Sequence, residues 1–96
     1  MKAQLIVYYL KSESFASGII NQIKSYSNWA KVADNCWIII TEKSSGSVRD
    51  ELRDAISGNG KILVINVTGQ GWGTFAISKE VTDWMKNNLN ASNTLG

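Results

Sequence analysis

The chain has 96 residues, of which 44% are apolar and 19% charged, with ten Lys/Arg against eight Asp/Glu. This length predicts one domain, and the composition excludes an intrinsically disordered chain. The sequence has no histidine, which excludes Ser–His–Asp hydrolysis, Cys–His proteolysis and histidine-ligated zinc. Cys36 is the only cysteine, so an internal disulfide cannot form, and its place before an apolar run predicts a buried thiol.

The charge and the apolar runs also limit the possible surroundings of the protein. The lysines are spread along the chain, and a net charge of +2 does not by itself predict a nucleic-acid surface. No stretch reaches the ~18 apolar residues of a membrane span, and the N-terminal run is too short for a signal peptide. We therefore expect a cytoplasmic protein without a membrane partner.

The N-terminal third predicts a strand followed by a helix. Residues 3–10 form an apolar run rich in Val, Ile and Tyr, which is typical of a strand covered on both faces. Residues 11–14 break this run, and Ser12 or Ser14 can cap a helix by accepting a hydrogen bond from a first-turn amide. The apolar positions that follow recur at spacings of three and four, on one helix face: Phe15, Ile19, Ile20, Ile23 and Tyr26.

The middle of the chain predicts a hairpin and a second helix. Residues 30–33 and 36–41 are two short strands, and the Asp-Asn pair at 34–35 suits a tight turn between them. Residues 47–50 resemble a capping box, which predicts that Ser47 caps the second helix. The buried stripe of this helix is expected to be Val48, Leu52, Ala55 and Ile56. Gly and Asn in residues 57–60 then end the helix.

The C-terminal third predicts a strand, a glycine-rich loop and a last helix. Residues 61–67 form a continuous strand run, and residues 68–74 form the loop. Residues 75–77 are either a short strand or the lead-in to the last helix, which Ser78 caps. The apolar stripe of that helix is Val81, Trp84, Met85 and Leu89.

The order of these elements predicts an α+β fold. It matches the ferredoxin-like βαββαβ pattern with an added C-terminal strand or helix. We expect a single ferredoxin-like domain over residues 1–89 and a flexible tail over residues 90–96.

The glycine-rich loop is the most unusual local sequence. Its alternating glycines let backbone amides converge on an anion or phosphate, and the indole of Trp72 can stack on a base or ring. The glycine spacing matches neither a dinucleotide fingerprint nor a P-loop. A flexible turn that lays Trp72 over an open edge or a dimer partner is the alternative. The predicted ligand or partner contacts in the loop are Gly69, Gln70, Gly71, Trp72 and Gly73.

Other charged and aromatic residues have structural interpretations beside functional ones. One helix face places acids next to arginines, which predicts a solvated, salt-bridged surface: Arg49, Asp50, Arg53 and Asp54. Trp37 and Trp84 fit a buried strand and a helix stripe, and both are predicted core residues. Trp29 is predicted to lie in a turn, where a large aromatic residue either anchors an interface or fills the core.

Five segments resemble the small proteins called SinR-like, which are related in fold to the small CRISPR adaptation subunit: residues 23–29, 34–41, 48–52, 61–69 and 83–89. The resemblance spans residues 4–89 and implies a ferredoxin-like fold and a dimer formed partly through C-terminal elements. Adaptation subunits carry a metal-binding Asp at the end of the first strand. Tyr9 stands there in this sequence, and a neutral phenol is a poor ligand for a hard cation.

We therefore expect a non-catalytic, dimeric interaction module that binds a protein or nucleic-acid partner, with no cofactor and no catalytic or metal-binding residue. Tyr9 and Trp29 join the loop as expected contacts, and four charged side chains are expected to tune such contacts: Lys11, Glu13, Arg49 and Arg53. Two alternatives stay open. One is a metal-dependent nuclease using the displaced acids Glu13 and Glu42, and the other is a regulator that binds a small ligand or nucleotide in the loop.

Overall fold

A computed structural model of the protein describes residues 1–89. The predicted tail at residues 90–96 lies outside the described residues. Strands and helices follow the order β1 (Lys2–Leu10), α1 (Ala16–Lys24), β2 (Trp29–Ala33), β3 (Cys36–Thr41), α2 (Ser45–Ala55), β4 (Gly60–Asn66) and α3 (Lys79–Asn88). A 3₁₀ turn, Glu13–Phe15, precedes α1.

The four strands form one sheet in the order β2-β3-β1-β4, and every neighbouring pair is antiparallel. Gln4 lies opposite Ile39 on one side of β1 and opposite Asn66 on the other side. The edges of the sheet are therefore β2 and β4. The chain is a small α+β domain with a four-stranded antiparallel sheet and, within residues 1–89, three α-helices.

Helices α1 and α2 cover one face of the sheet. Alternate residues of β1 and β3 point toward them, because successive side chains of a strand point to opposite faces. The core on this face consists of Ile6, Tyr8, Ile19, Ile23, Trp37, Ile39, Val48, Leu52 and Ile56. The predicted helix stripes are thereby confirmed at Ile19, Ile23, Val48 and Leu52, and Trp37 is a core residue as predicted.

Helix α3 packs on the opposite face, where a second and smaller core contains Ala3, Ile38, Met85 and Leu89. Two hydrogen bonds hold α3 against Asn28, the residue before β2, and a third lies within α3. Trp84 Nε1 donates to Asn28 Oδ1 at 3.0 Å, and Asn28 Nδ2 donates to Asn88 Oδ1 at 2.9 Å. Asn88 Nδ2 closes the set by donating to the Trp84 carbonyl at 2.8 Å.

The helix caps confirm one prediction and correct another. Ser78 caps α3 as predicted, since its hydroxyl accepts from the Val81 amide. The cap of α2 is Ser44 and not Ser47, because the Ser44 hydroxyl accepts from the Ser47 amide at 3.1 Å. Both serines suit the role, but the earlier start gives the helix another turn.

Three further expectations are corrected. The alternative of a short strand at residues 75–77 is wrong, because these residues form an irregular lead-in to α3. Cys36 is partly rather than fully buried, although its burial still raises the pKa of the thiol. Strand β1 is not covered on both faces, since Val7 and Tyr9 are exposed.

Candidate functional site

Within residues 1–89, no helix covers the β1–β4 half of the sheet on the face that carries α3. Cross-strand pairing places Leu63 opposite Val7, and Ile65 opposite Leu5 one pair along. The exposed fractions on this face are 39% for Val7, 60% for Tyr9, 54% for Leu63 and 44% for Ile65. These four residues are called the open face below. An apolar patch of this kind typically marks an interaction site.

The glycine loop begins where β4 ends and is tied to β1 at its start. The Val67 amide donates to the Ala3 carbonyl, and the Ala3 amide donates to Thr68 Oγ1, each at 2.8 Å. Gly69 has a φ of 72°, a conformation that glycine adopts without strain. The Gln70 amide donates back to the Val67 carbonyl, which closes a tight turn. The rest of the loop is thereby directed back across the sheet.

A cavity of about 380 Å³ lies between this loop, the sheet and α3. Its floor is Leu5, Val32 and Ile38, and α3 contributes Met85 to its wall. The loop supplies Gln70, Gly71, Trp72, Gly73, Thr74 and Phe75. The structure thus brings four of the five predicted loop contacts together around one space, and Gly69 forms the turn that precedes them.

Trp72 and Phe75 are unusual within this cavity. Trp72 packs against the smaller core, yet its buried indole Nε1 has no hydrogen-bond partner. Phe75 lines the same space while 94% of its surface is exposed. Ala76, which follows it, adopts a φ of 62°, a strained value for a residue other than glycine.

The two predicted contacts outside the loop lie elsewhere. Tyr9 belongs to the open face, at the end of β1 farthest from Leu5 and the cavity. Trp29 begins the edge strand β2 and packs against Trp37, with ring centroids 5.5 Å apart. Lys24 Nζ lies 5.1 Å from the centre of the Trp29 ring. The structure therefore places Tyr9 in the open face and Trp29 beside the larger core.

The acidic residues do not converge. Glu13 follows the C-terminal end of β1, whereas Glu42 follows Thr41, which pairs with Lys2 at the other end. A nine-residue strand separates the two carboxylates by roughly 25–30 Å. Among the residues that the structure describes, no group of three or more His, Cys, Asp or Glu is placed to hold a metal ion.

The predicted salt-bridged face of α2 is confirmed. Arg49 Nη2 lies 2.9 Å from Asp50 Oδ1, and Arg53 reaches both Asp50 and Asp54 at 3.4 Å. All four side chains are largely exposed, so these ion pairs add little to stability.

A second polar cluster, which the sequence did not reveal, joins the end of α1 to α2. The Tyr26 hydroxyl donates to Glu51 Oε1 and Lys43 Nζ donates to Glu51 Oε2, both at 2.5 Å. Desolvation, followed by the Glu51 hydrogen bond, raises the pKa of Tyr26 to about 12. The hydrogen bond from Lys43, followed by that from Tyr26, holds the pKa of Glu51 below its ordinary value. Because the phenol keeps its proton, the Tyr26 hydroxyl acts as the hydrogen-bond donor that joins the end of α1 to Glu51 in α2.

Comparisons with protein-family models, with curated proteins and with solved structures give no match for this chain. In the described part of the chain, no helix has both the length and the apolar character needed to cross a membrane.

Proposed function

We propose that this chain is a non-catalytic interaction module that forms a homodimer through its open face. The observation that carries the proposal is the cross-strand apolar patch of Val7, Tyr9, Leu63 and Ile65 on β1 and β4. Four of the six large apolar residues exposed on the described surface belong to it, and a second copy would remove them from water.

The patch is suited to a second copy of the same chain. A two-fold dimer places the same surface patch on both subunits, so the patch must be compatible with itself. The four side chains are aliphatic or phenolic, and the positive charge of Lys61, opposite Tyr9, lies at one end of the patch rather than among them. β4 is also an edge strand, and its unpaired side adjoins the patch.

The charge distribution favours a protein partner over nucleic acid. Five of the ten basic side chains already form ion pairs with acids: Lys31, Lys43, Arg49, Arg53 and Lys79. A nucleic-acid surface needs basic groups that cluster on one face and are available to phosphates. On the sheet face that carries the open face, the basic strand residue within residues 1–89 is Lys61, which lies opposite Tyr9 at one end of the patch.

The architecture supports a finer description of the fold within the same proposal. We infer a ferredoxin-like βαββαβ domain with an added helix, because β1 and β3 lie side by side at the centre and α1 and α2 share one face. The proposed relationship to SinR-like proteins rests on the sequence segments that resemble them and on this strand order. Tyr9 at the end of β1, in place of an acid, supports a module without nuclease activity.

Size-exclusion chromatography with light scattering tests the proposal. The wild-type chain should elute with twice the mass of one chain at micromolar concentration. Leu63→Asp should elute as a monomer, because it places a charge in the middle of the patch. Ser17→Asp is the matched control, since it adds the same charge at an exposed position on the helix side and should leave the dimer intact.

A short DNA duplex added to the same samples at low and high salt separates the two partner classes. A dimer whose elution ignores DNA supports a protein interaction module. A dimer that shifts with DNA at low salt and returns at high salt assigns the partner to nucleic acid. A wild-type monomer, or a Leu63→Asp dimer as tight as wild type, overturns the proposal.

A further inference from the structure

The cavity beneath the glycine loop is a built apolar space that the dimer proposal does not use. Its volume of about 380 Å³ falls within the range of ~300–1,000 Å³ that small-molecule sites occupy. Strands β1, β2 and β3 supply its floor, and α3 and the loop supply its walls. Its walls therefore come from segments far apart in sequence, which the fold holds in place.

The chemistry of the walls identifies the kind of molecule that fits. None of the lining residues is ionisable, and the lining side chains are mostly aliphatic or aromatic. A charged ligand would lose its hydration there without gaining a partner of opposite charge, which is costly. A phosphate or nucleotide is thus poorly suited to this space, whereas a neutral apolar molecule is well suited.

Trp72 lines the cavity and carries a donor that has no partner among the described residues. A buried indole N–H normally finds a partner, and of the described residues only Trp72 and Trp37, in the larger core, depart from this. The ring packs against the smaller core and Nε1 is buried, so the ring, between Gly71 and Gly73, must turn before the donor is reached from the cavity. A ligand that presents an oxygen acceptor next to the ring would satisfy this donor.

Phe75 gives the site a second aromatic surface. Its ring borders the cavity and is almost fully exposed. A molecule seated in the cavity would cover part of this ring and remove it from water. Burial of this part of the Phe75 ring would favour binding, because apolar surface is removed from water.

We propose that this cavity is a binding site for a small, neutral, mostly apolar molecule that carries one hydrogen-bond acceptor, which Trp72 Nε1 recognises and Phe75 helps to cover. The proposal does not rest on the homodimer, because the wall residues all belong to one chain. A two-ring aromatic ketone has the right charge, size and polarity to serve as a probe.

Three naphthalene probes titrated into the ¹³C-methyl-labelled full chain test the site. 2-Acetylnaphthalene should shift the Leu5 and Met85 methyl signals and leave those of Val48 and Leu52, in the other core, unchanged. 2-Ethylnaphthalene, which lacks the acceptor, should bind about 2- to 10-fold more weakly. 2-Naphthoate, which carries a charge, should bind at least about 10-fold more weakly.

Variants assign the roles of the two aromatic residues. Trp72→Phe should abolish the preference for the ketone over the ethyl compound, because it removes the N–H and keeps a ring. Trp29→Phe makes the same change away from the cavity and should keep the preference. Phe75→Ala should weaken all three probes several-fold with an unchanged melting temperature, since the side chain is exposed.

Three results would overturn the proposal. Methyl signals that do not move up to the solubility limit of the ketone would show that the cavity takes no such molecule. Equal affinity for 2-naphthoate would contradict a neutral site. A ketone preference that survives Trp72→Phe would remove Trp72 as the donor. The dimer assay is read independently, so failure of one proposal is not failure of the other.

Discussion

Gly60→Ala tests how closely β4 must approach β1. A Cβ at residue 60 would lie 2.3 Å from the backbone oxygen of Tyr9 and 3.2 Å from Ile56 Cδ1. Real Cβ contacts essentially never fall below 3.0 Å, so the two strands must separate by at least about 0.7 Å. The obstacle is backbone rather than a flexible side chain, and the strain cannot be relieved by a rotamer change.

The expected cost follows from this geometry. Overpacking costs about 1–3 kcal/mol and a weakened ladder hydrogen bond about 1 kcal/mol, while the stiffer unfolded chain returns about 0.5 kcal/mol. The net loss is about 1.5–3.5 kcal/mol, which lowers the melting temperature by roughly 6–28 °C for a domain of this size.

Gly46→Ala is the matched control for this measurement. The nearest atom to its Cβ is Arg49 Nη2 at 3.7 Å, an ordinary contact with a flexible side chain, and the residue lies in α2. Alanine should raise the free energy of unfolding by up to about 0.5–1 kcal/mol there. Thermal unfolding, monitored by circular dichroism, should show a lower melting temperature for Gly60→Ala and a higher one for Gly46→Ala. If Gly60→Ala melts within a few degrees of wild type, the close approach of the strands is not a constraint.

Three other predictions concern polar contacts. Asn28→Ala removes two hydrogen bonds to α3 and should cost about 1–3 kcal/mol, with faster amide hydrogen exchange in α3 than in α2. Because the pKa of Tyr26 is raised in the folded chain, the unfolded chain loses the phenolic proton at a lower pH than the folded chain does. The free energy of unfolding should therefore fall by about 1–2 kcal/mol between pH 10 and 12, a figure that is discounted for partial exposure. In denaturant melts, Tyr26→Phe should remove this fall in the free energy of unfolding between pH 10 and 12. The lowered pKa of Glu51 contributes stability above about pH 4.5 that is lost as the pH falls through the folded-state value, and Glu51→Gln should remove this acid dependence in the same melts.

Much of the fold could be predicted from local patterns. The three- and four-residue spacings of Ile19, Ile20 and Ile23 predicted a helix face. The Asp-Asn pair at 34–35 predicted the hairpin, where Asn35 has a φ of 59°. The α2 cap was misplaced because Ser44 and Ser47 both carry the hydroxyl that a cap needs. Local sequence does not distinguish two such serines three residues apart.

The uncovered half of the sheet was harder to predict, for a physical reason. β1 is apolar at nearly every position, and a continuous apolar run reads as a strand covered on both faces. Only the tertiary arrangement shows that α3 covers the β2–β3 half and leaves Val7 and Tyr9 exposed. The loop could be recognised from its glycines, but the cavity could not, because residues such as Val32 and Met85 meet only in the fold.

The open face and the cavity share one boundary, and this links the two proposals physically. Leu5 lines the cavity and lies opposite Ile65, an open-face residue in the neighbouring strand. A second copy seated on the open face therefore lies within one residue pair of any molecule in the cavity. If the two events affect each other, the effect must be equal in both directions, because coupling between binding equilibria is reciprocal. Each bound ligand that tightens the dimer by a given factor must itself bind the dimer more tightly than the monomer by that factor. A monomeric Leu63→Asp variant must then lack this increment in ligand affinity.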